Sequence, residues 1–181
     1  MTKKTAILLY PYFSEYELTT ALSILMQGGK PVSFIGLTKD PIIGESGLTC
    51  LPDLTIDDIQ PEEYDSLLLS GCMYIDKIID IQDYSSFIQR ISSQKNFVTA
   101  AISSSPYLLA KAGLLKGKKY TVGLSEELRK QSPYFEEENY VGELVVTDNN
   151  LITAWGAAFI SFGVQFGKAL QLDFEEGWYR G

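Results

Sequence analysis

The chain has 181 residues, 45% apolar and 21% charged, the balance of one globular domain with a full core. Its formal charge of −8 excludes a nucleic-acid partner, which needs clustered Lys and Arg; the one basic trio, Lys116, Lys118 and Lys119, reads as a solvated turn. There is no histidine, so no Ser–His–Asp or Cys–His relay and no His-ligated metal can be built within the chain, and two cysteines are too few for a structural zinc site.

The opening "MTKKTAILLYPYF" is apolar only over residues 6–10 and lacks a small-residue cleavage site, so it is not expected to act as a secretory signal. No apolar stretch approaches the ~20 residues of a membrane span. A cytoplasmic location and no membrane partner are expected, with Cys50 and Cys72 as free thiols.

Residues 5–10 predict a buried strand. Residues 14–27 predict a helix with Leu18, Ala21, Leu22 and Leu25 on one face, stopped by Gly28 and Gly29. A second strand follows over 31–37, then a short hairpin excursion, "GESGLTCLP", around Cys50. "EEYDSLLLSG" gives a buried strand over 66–69. Residues 75–92 carry helical spacing, broken near Asp83. A strand at 96–102, a helix at 106–112 closed by Gly113, and a short strand at 119–122 come next. "ELVVTDNNLITAW" reads as a hairpin turning at Asp148-Asn149-Asn150. A last helix over 156–170 turns Phe159, Phe162, Phe166 and Leu170 to the core; Gly163 and Gly167 let it lie close to the sheet.

Strands alternating with helices imply a three-layer α/β/α sandwich around a mostly parallel sheet, one domain over residues 1–181. Ligands in such sheets sit at the carboxyl ends of strands, near a reversal of strand order. The residues to search are therefore 11–17, 70–73, 103–106 and 155–158.

Within those windows, "VTAAISSSPYLLAKAG" (98–113) carries the strongest local signal. A strand turning sharply into a helix with a side chain at its apex needs small residues two places to either side. Ser103 meets this, with Ala101 before and Ser105 after; centring on Ser104 would place Ile102 at the crowded position. Serines capping a helix ahead of Pro106 explain the stretch as well.

The longer context resembles the ThiJ/PfpI (DJ-one/PfpI) family of the class I glutamine amidotransferase-like, flavodoxin-like fold. The family elbow reads A-x-C-x-G-P, then a helix and G-x-L-x-G-x-x-x-T; here it is "AISSSPYLLAKAGLLKGKKYT". The family's L-P-G-G strand end appears as "YDSLLLSGC", with Ser70 and Cys72 in place of Pro and the second Gly. "FSEYELTTALSILMQGG" puts Glu17 at the position of the site glutamate, and "LITAWGAAFISFG" matches the family's I-T-x-x-G pattern. These motifs run in register over nearly the whole chain.

The resemblance implies that Ser103 stands where the family has its reactive cysteine, and Gly123 where histidine is frequent. It also implies a protonated Glu17 hydrogen-bonded to Ser103, and the Cys72 and Ser104 amides paired as an oxyanion hole. Family members commonly form homodimers, so a homodimer is expected here. A serine hydroxyl needs a nearby base, and Glu17, the local candidate, is a poor one. The expected function is thus a non-catalytic or altered small-molecule-binding, stress-related homologue taking a carbonyl or carboxylate ligand, with no cofactor and no metal. The alternative is a hydrolase or glyoxalase/deglycase-like enzyme with Ser103 as nucleophile and Glu17 as acid/base.

Each residue also has a plainer reading. Ser103 serves as a helix cap, a ligand hydrogen-bonder or a nucleophile, and Glu17 as a charge at a helix start. Cys72 is a small buried hydrophobe or a redox-sensitive thiol at the pocket rim. Gly156, Ala157 and Ala158 admit close backbone approach at the pocket wall; Gly71, Gly156 and Ala157 join Cys72 and Ser104 as candidate oxyanion or ligand-binding positions; and Trp155 shields the pocket or serves a subunit contact. Cys50 is inert or an interface residue. "YFEEENY" (134–140) is a solvated acidic loop or a lid.

Overall fold

A computed structural model of the chain describes residues 2–180. In order it contains β1 (Lys4–Leu8), α1 (Glu15–Gln27), β2 (Val32–Gly36), β3 (Ile42–Ile43), β4 (Thr49–Cys50), β5 (Leu54–Thr55), β6 (Tyr64–Leu69), α2 (Ile75–Ile78), α3 (Gln82–Ile91), β7 (Val98–Ile102), α4 (Pro106–Lys111), α5 (Glu126–Gln131), β8 (Val145–Asp148), β9 (Leu151–Ala154) and α6 (Phe159–Ala169). Seven strands form one sheet in the order β5-β2-β1-β6-β7-β9-β8, and β3 pairs with β4 as a separate ribbon. Only the β8–β9 pair in the sheet is antiparallel. Among the described residues no helix is long and apolar enough to cross a membrane.

The central strands are apolar because both sides are covered. Ile7, Leu8, Leu67, Leu68, Ala100, Ala101 and Ile102 have no solvent exposure, as a parallel sheet between two helical layers requires. The crossovers after β1 and β6 run in opposite directions along the sheet. With the right hand that such crossovers take, this places α1 on one face and α3 and α4 on the other; α1 packs on α6 and α3 on α4. The order of the strands reverses between β1 and β6, and the crevice at their carboxyl ends is where the fold leaves room for a ligand.

Three local expectations change. Gly163 and Gly167 bring α6 against α1 rather than against the sheet: an added Cβ would meet Ala21 N at 3.0 Å and Ile24 Cγ2 at 2.5 Å, respectively. Phe162 and Phe166, fully buried, are the residues of α6 that join the core. Residues 119–122 do not form a strand; Tyr120 makes a single bridge to Tyr140. The helical stretch over 75–92 breaks near Asp83, as its spacing predicts, with Ile81 as the N-cap of its second half. The last helix begins only at Phe159, after a 3-10 turn at Gly156–Ala158. The β8–β9 hairpin falls where its asparagines predict, with Asn149 in the left-handed region at φ 54°.

Candidate functional site

Ser103 follows β7 directly, and its backbone has φ 65°, a region that L residues with a Cβ avoid. Two neighbours hold it there. Its N–H donates to Ala154 O at 2.7 Å, and its carbonyl accepts from Gly123 N at 2.6 Å. Ser105 closes the turn: its Oγ accepts from Ile102 N at 3.0 Å and reaches the carbonyls of Ile102 and Leu69 at 2.7 and 3.1 Å. No serine side chain caps α4, so the capping reading of Ser103 is set aside; Pro106 opens that helix. The result is a strained, half-buried serine at an apex.

Glu17 comes to this apex from the first turn of α1 and is 2% exposed. One carboxyl oxygen accepts from Gly71 N at 2.6 Å and the other from Tyr16 OH at 3.1 Å. Glu17 keeps its place as a charge in the first turn of α1, and its carboxyl also ties the Gly71 loop to that helix. Gly71 and Gly156 are needed for the approach. A Cβ on Gly71 would stand 2.3 Å from Glu17 Oε2 and 2.9 Å from Ser103 Oγ. One on Gly156 would stand 2.4 Å from Glu17 Oε1 and 3.1 Å from the same Ser103 hydroxyl. Burial pushes the Glu17 carboxyl above the usual range, and the Gly71 amide with the Ser103 and Tyr16 hydroxyls pulls part of that back.

Cys72 and Ser104 do not form the expected pair of free amides. Cys72 N donates to Ser104 Oγ at 3.0 Å, and that hydroxyl donates to Cys72 O at 3.0 Å. The Ser104 N–H finds no partner among the described residues. The Cys72 thiol is 7% exposed and donates to Pro11 O at 3.4 Å. Burial pushes it up to about 11; the Tyr74 backbone opposes this and Glu45 and Asp76 add to it. A buried thiol held toward its protonated form fits the reading of Cys72 as a small buried hydrophobe better than that of a reactive thiolate.

In front of Ser103 lies a cleft of about 850 Å³. Tyr16, Met73, Tyr107 and Leu124 form much of its wall, and Glu17, Glu45, Asp76 and Asp80 also line it, with no Lys or Arg. Tyr16 stacks edge-on against Phe159, 5.4 Å between centroids. Ala157 is exposed and lies outside this wall. Trp155 does too; its indole N–H is anchored on Thr121 Oγ1 at 2.8 Å, so it does not shield the pocket. Cys50 is half-buried on β4, away from the cleft. Among the described residues no group of three His, Cys, Asp or Glu side chains is placed to hold a metal ion.

The segment 134–140 is neither a solvated loop nor a free lid. Phe135 stacks on Tyr120 at 5.3 Å, and Arg129 of α5 forks onto Glu137 at 2.7 and 3.0 Å with its guanidinium 3.5 Å above the Tyr140 ring. Sequence reasoning missed Tyr16, Glu45 and α5 as parts of the site. Glu45 follows the β3 strand and is tied to the α1 entry by the Ser14 hydroxyl at 2.9 Å, a contact across 31 positions with no local signature.

A mostly parallel sheet with a strained serine at a strand-to-helix elbow and a buried glutamate beneath it defines an elbow-type α/β protein of the flavodoxin-like class. The profile of the DJ-1/PfpI family matches residues 3–169, and the chain belongs to that family. It is 30% identical over 170 residues to an uncharacterized protein of Methanocaldococcus jannaschii, covering 90% of this chain and 80% of that one. An uncharacterized protein of Staphylococcus haemolyticus is 33% identical over 158 residues, covering 85% and 89%. Among solved structures, a thiJ/pfpI family protein from Bacillus anthracis superposes with a TM-score of 0.84 at 25% identity, covering 99% of this chain and 89% of that one. A DJ-1 superfamily protein from Agrobacterium tumefaciens gives 0.84 at 22% identity, covering 97% and 94%, a likeness of fold.

Proposed function

We propose that the cleft at Ser103 binds a small polar molecule and does not carry out thiol chemistry, Ser103 standing where relatives have their reactive cysteine. One observation carries this reading. The carboxyl facing Ser103 is buried, holds its proton more tightly than usual and has both oxygens engaged, by Gly71 N–H and Tyr16 OH. With one oxygen taken by the Gly71 amide and the other by the Tyr16 hydroxyl, Glu17 is poorly placed to receive the Ser103 proton, and with no histidine in the chain no imidazole replaces it. The Ser103 hydroxyl stays protonated and acts as a hydrogen-bonding group on the floor of the cleft.

The strained φ of Ser103 supports a second reading, a serine hydrolase or glyoxal-converting enzyme, since nucleophiles are presented on such turns. The Ser103→Cys variant separates the two. In a disarmed but intact pocket the new thiol gains oxygen on treatment with hydrogen peroxide, read by mass, while wild type turns over neither p-nitrophenyl acetate nor methylglyoxal. Turnover by wild type that disappears in Ser103→Ala overturns the binding reading in favour of the enzyme.

A further inference from the structure

Building on the cleft as a binding site, we propose that it selects a small ligand whose head is a positively charged, hydrogen-bond-donating nitrogen group: an ammonium, amidinium or guanidinium. Two separate features carry this.

The first is the polarity of the hydrogen bonding at Ser104. A hydroxyl has one hydrogen and two lone pairs. The Ser104 hydrogen goes to Cys72 O, and one lone pair receives Cys72 N–H, both at 3.0 Å. The second lone pair is the capacity that is left, on a side chain 7% exposed that lines the cleft. A free Cys72 amide would offer a donor to a carbonyl or carboxylate oxygen. With Ser104 in place, the same spot offers an acceptor.

The second is the charge around it. Glu45 and Asp76 line the cleft and have no Lys or Arg within salt-bridge distance among the described residues. Lys77, next to Asp76 in sequence, lies over the rings of Tyr74 and Tyr12 at 4.2 and 5.4 Å. Lys111, the other nearby cation, reaches Asp80 at 3.6 Å. Both free carboxylates act on the floor, since each raises the Cys72 thiol pKa. Tyr16 and Tyr107 line the same cleft, and aromatic side chains favour a nearby cation over an anion. An anionic ligand would find neutral donors alone, the Ser103, Tyr107 and Ser132 hydroxyls and the Ser104 N–H, set against these carboxylates with no Lys or Arg to balance them.

Three probes of one shape test this: benzamidine, benzamide and benzoate share a planar head and differ in its charge and donors. Titration calorimetry on the full chain is expected to rank benzamidine first and benzoate last, at least about tenfold apart. Ser104→Ala frees the Cys72 amide and is expected to shrink that gap by strengthening benzamide and benzoate. Glu45→Gln with Asp76→Asn, two substitutions outside the core, is expected to weaken benzamidine about tenfold and leave benzamide unchanged. Benzoate binding as tightly as benzamidine, or a gap that neither variant moves, overturns the inference. If benzamide and benzoate bind and lose affinity in Ser103→Ala while benzamidine has no advantage, the charge preference fails and the binding reading stands. If none of the three binds, the inference fails, and the peroxide test on Ser103→Cys decides the binding reading by itself.

Discussion

The two sides of the cleft are built on different physical terms. The elbow side joins a left-handed serine, a buried carboxyl and two glycines that tolerate no Cβ, all at the ends of fully buried strands. The α5 side joins a two-pronged Arg129–Glu137 pair, a guanidinium stacked on Tyr140 and an aromatic stack of Phe135 on Tyr120, with relaxed backbone. One side holds a strained backbone and a desolvated carboxyl; the other holds satisfied, stabilising contacts. Strain kept beside a cavity is the arrangement the binding reading proposed above calls for, while the α5 side contributes ordinary stabilising contacts to the wall.

Three substitutions sharpen that contrast. Removing a cation from the α5 wall should have the largest effect. Arg129 is 7% exposed, and its loss leaves Glu137 without its fork and Tyr140 without its stack. Arg129→Ala is expected to lower stability by about 3 kcal/mol in urea unfolding, the low end for a broken buried pair because Glu137 keeps some contact with water. A loss below 1 kcal/mol would show that the wall is held by its aromatic residues alone.

On the elbow side a substitution should stabilise. Ser103→Gly removes the left-handed penalty of about 1–2 kcal/mol, less the ~0.5–1 kcal/mol that glycine adds through the unfolded chain. The variant should melt at higher temperature while losing ligand affinity. A lower melting temperature would mean that the φ of 65° is not strained in its setting.

The smallest effect at any one pH comes from Glu17→Gln. Glu17 holds its proton more tightly folded than unfolded. Between its ordinary value of 4.5 and the raised one, the folded state therefore binds more protons, and its contribution to stability falls as pH rises through that window. The wild-type-minus-variant difference in urea midpoint should decline from about pH 4 upward and then level off. A difference that grows with pH would mean that the Gly71 amide and the hydroxyls outweigh burial.

The fold was legible because the residues that set it repeat locally: apolar runs of five or six, helical spacing between them, asparagines at the hairpin. The apex was legible for the same reason, since Ala101 and Ser105 flank Ser103 in one short stretch. What escaped depends on side chains meeting across long separations. Ser104 lies 32 positions from Cys72, and nothing in "SSSP" shows that its hydroxyl folds back onto that residue's backbone instead of leaving the amide open. The sequence "KKYTV" has strand propensity, yet its partner segment reaches it at one residue, Tyr140. In α5, six residues carry too few apolar positions to show a period, and Ser125 is the one legible signal, bonding Leu128 N.

The seating of α6 on α1 has a consequence for how the chain is made. The helix bearing Glu17 emerges early from the ribosome, but the surface that clasps it, Gly163 and Gly167, is translated more than 140 residues later. The Ala154 carbonyl that pins Ser103 is also a late arrival. A nascent chain stalled before β9 would carry Glu17 and Ser103 without the Ala154 carbonyl and the α6 surface, so these last supports of the pocket arrive only with the C-terminal part of the chain.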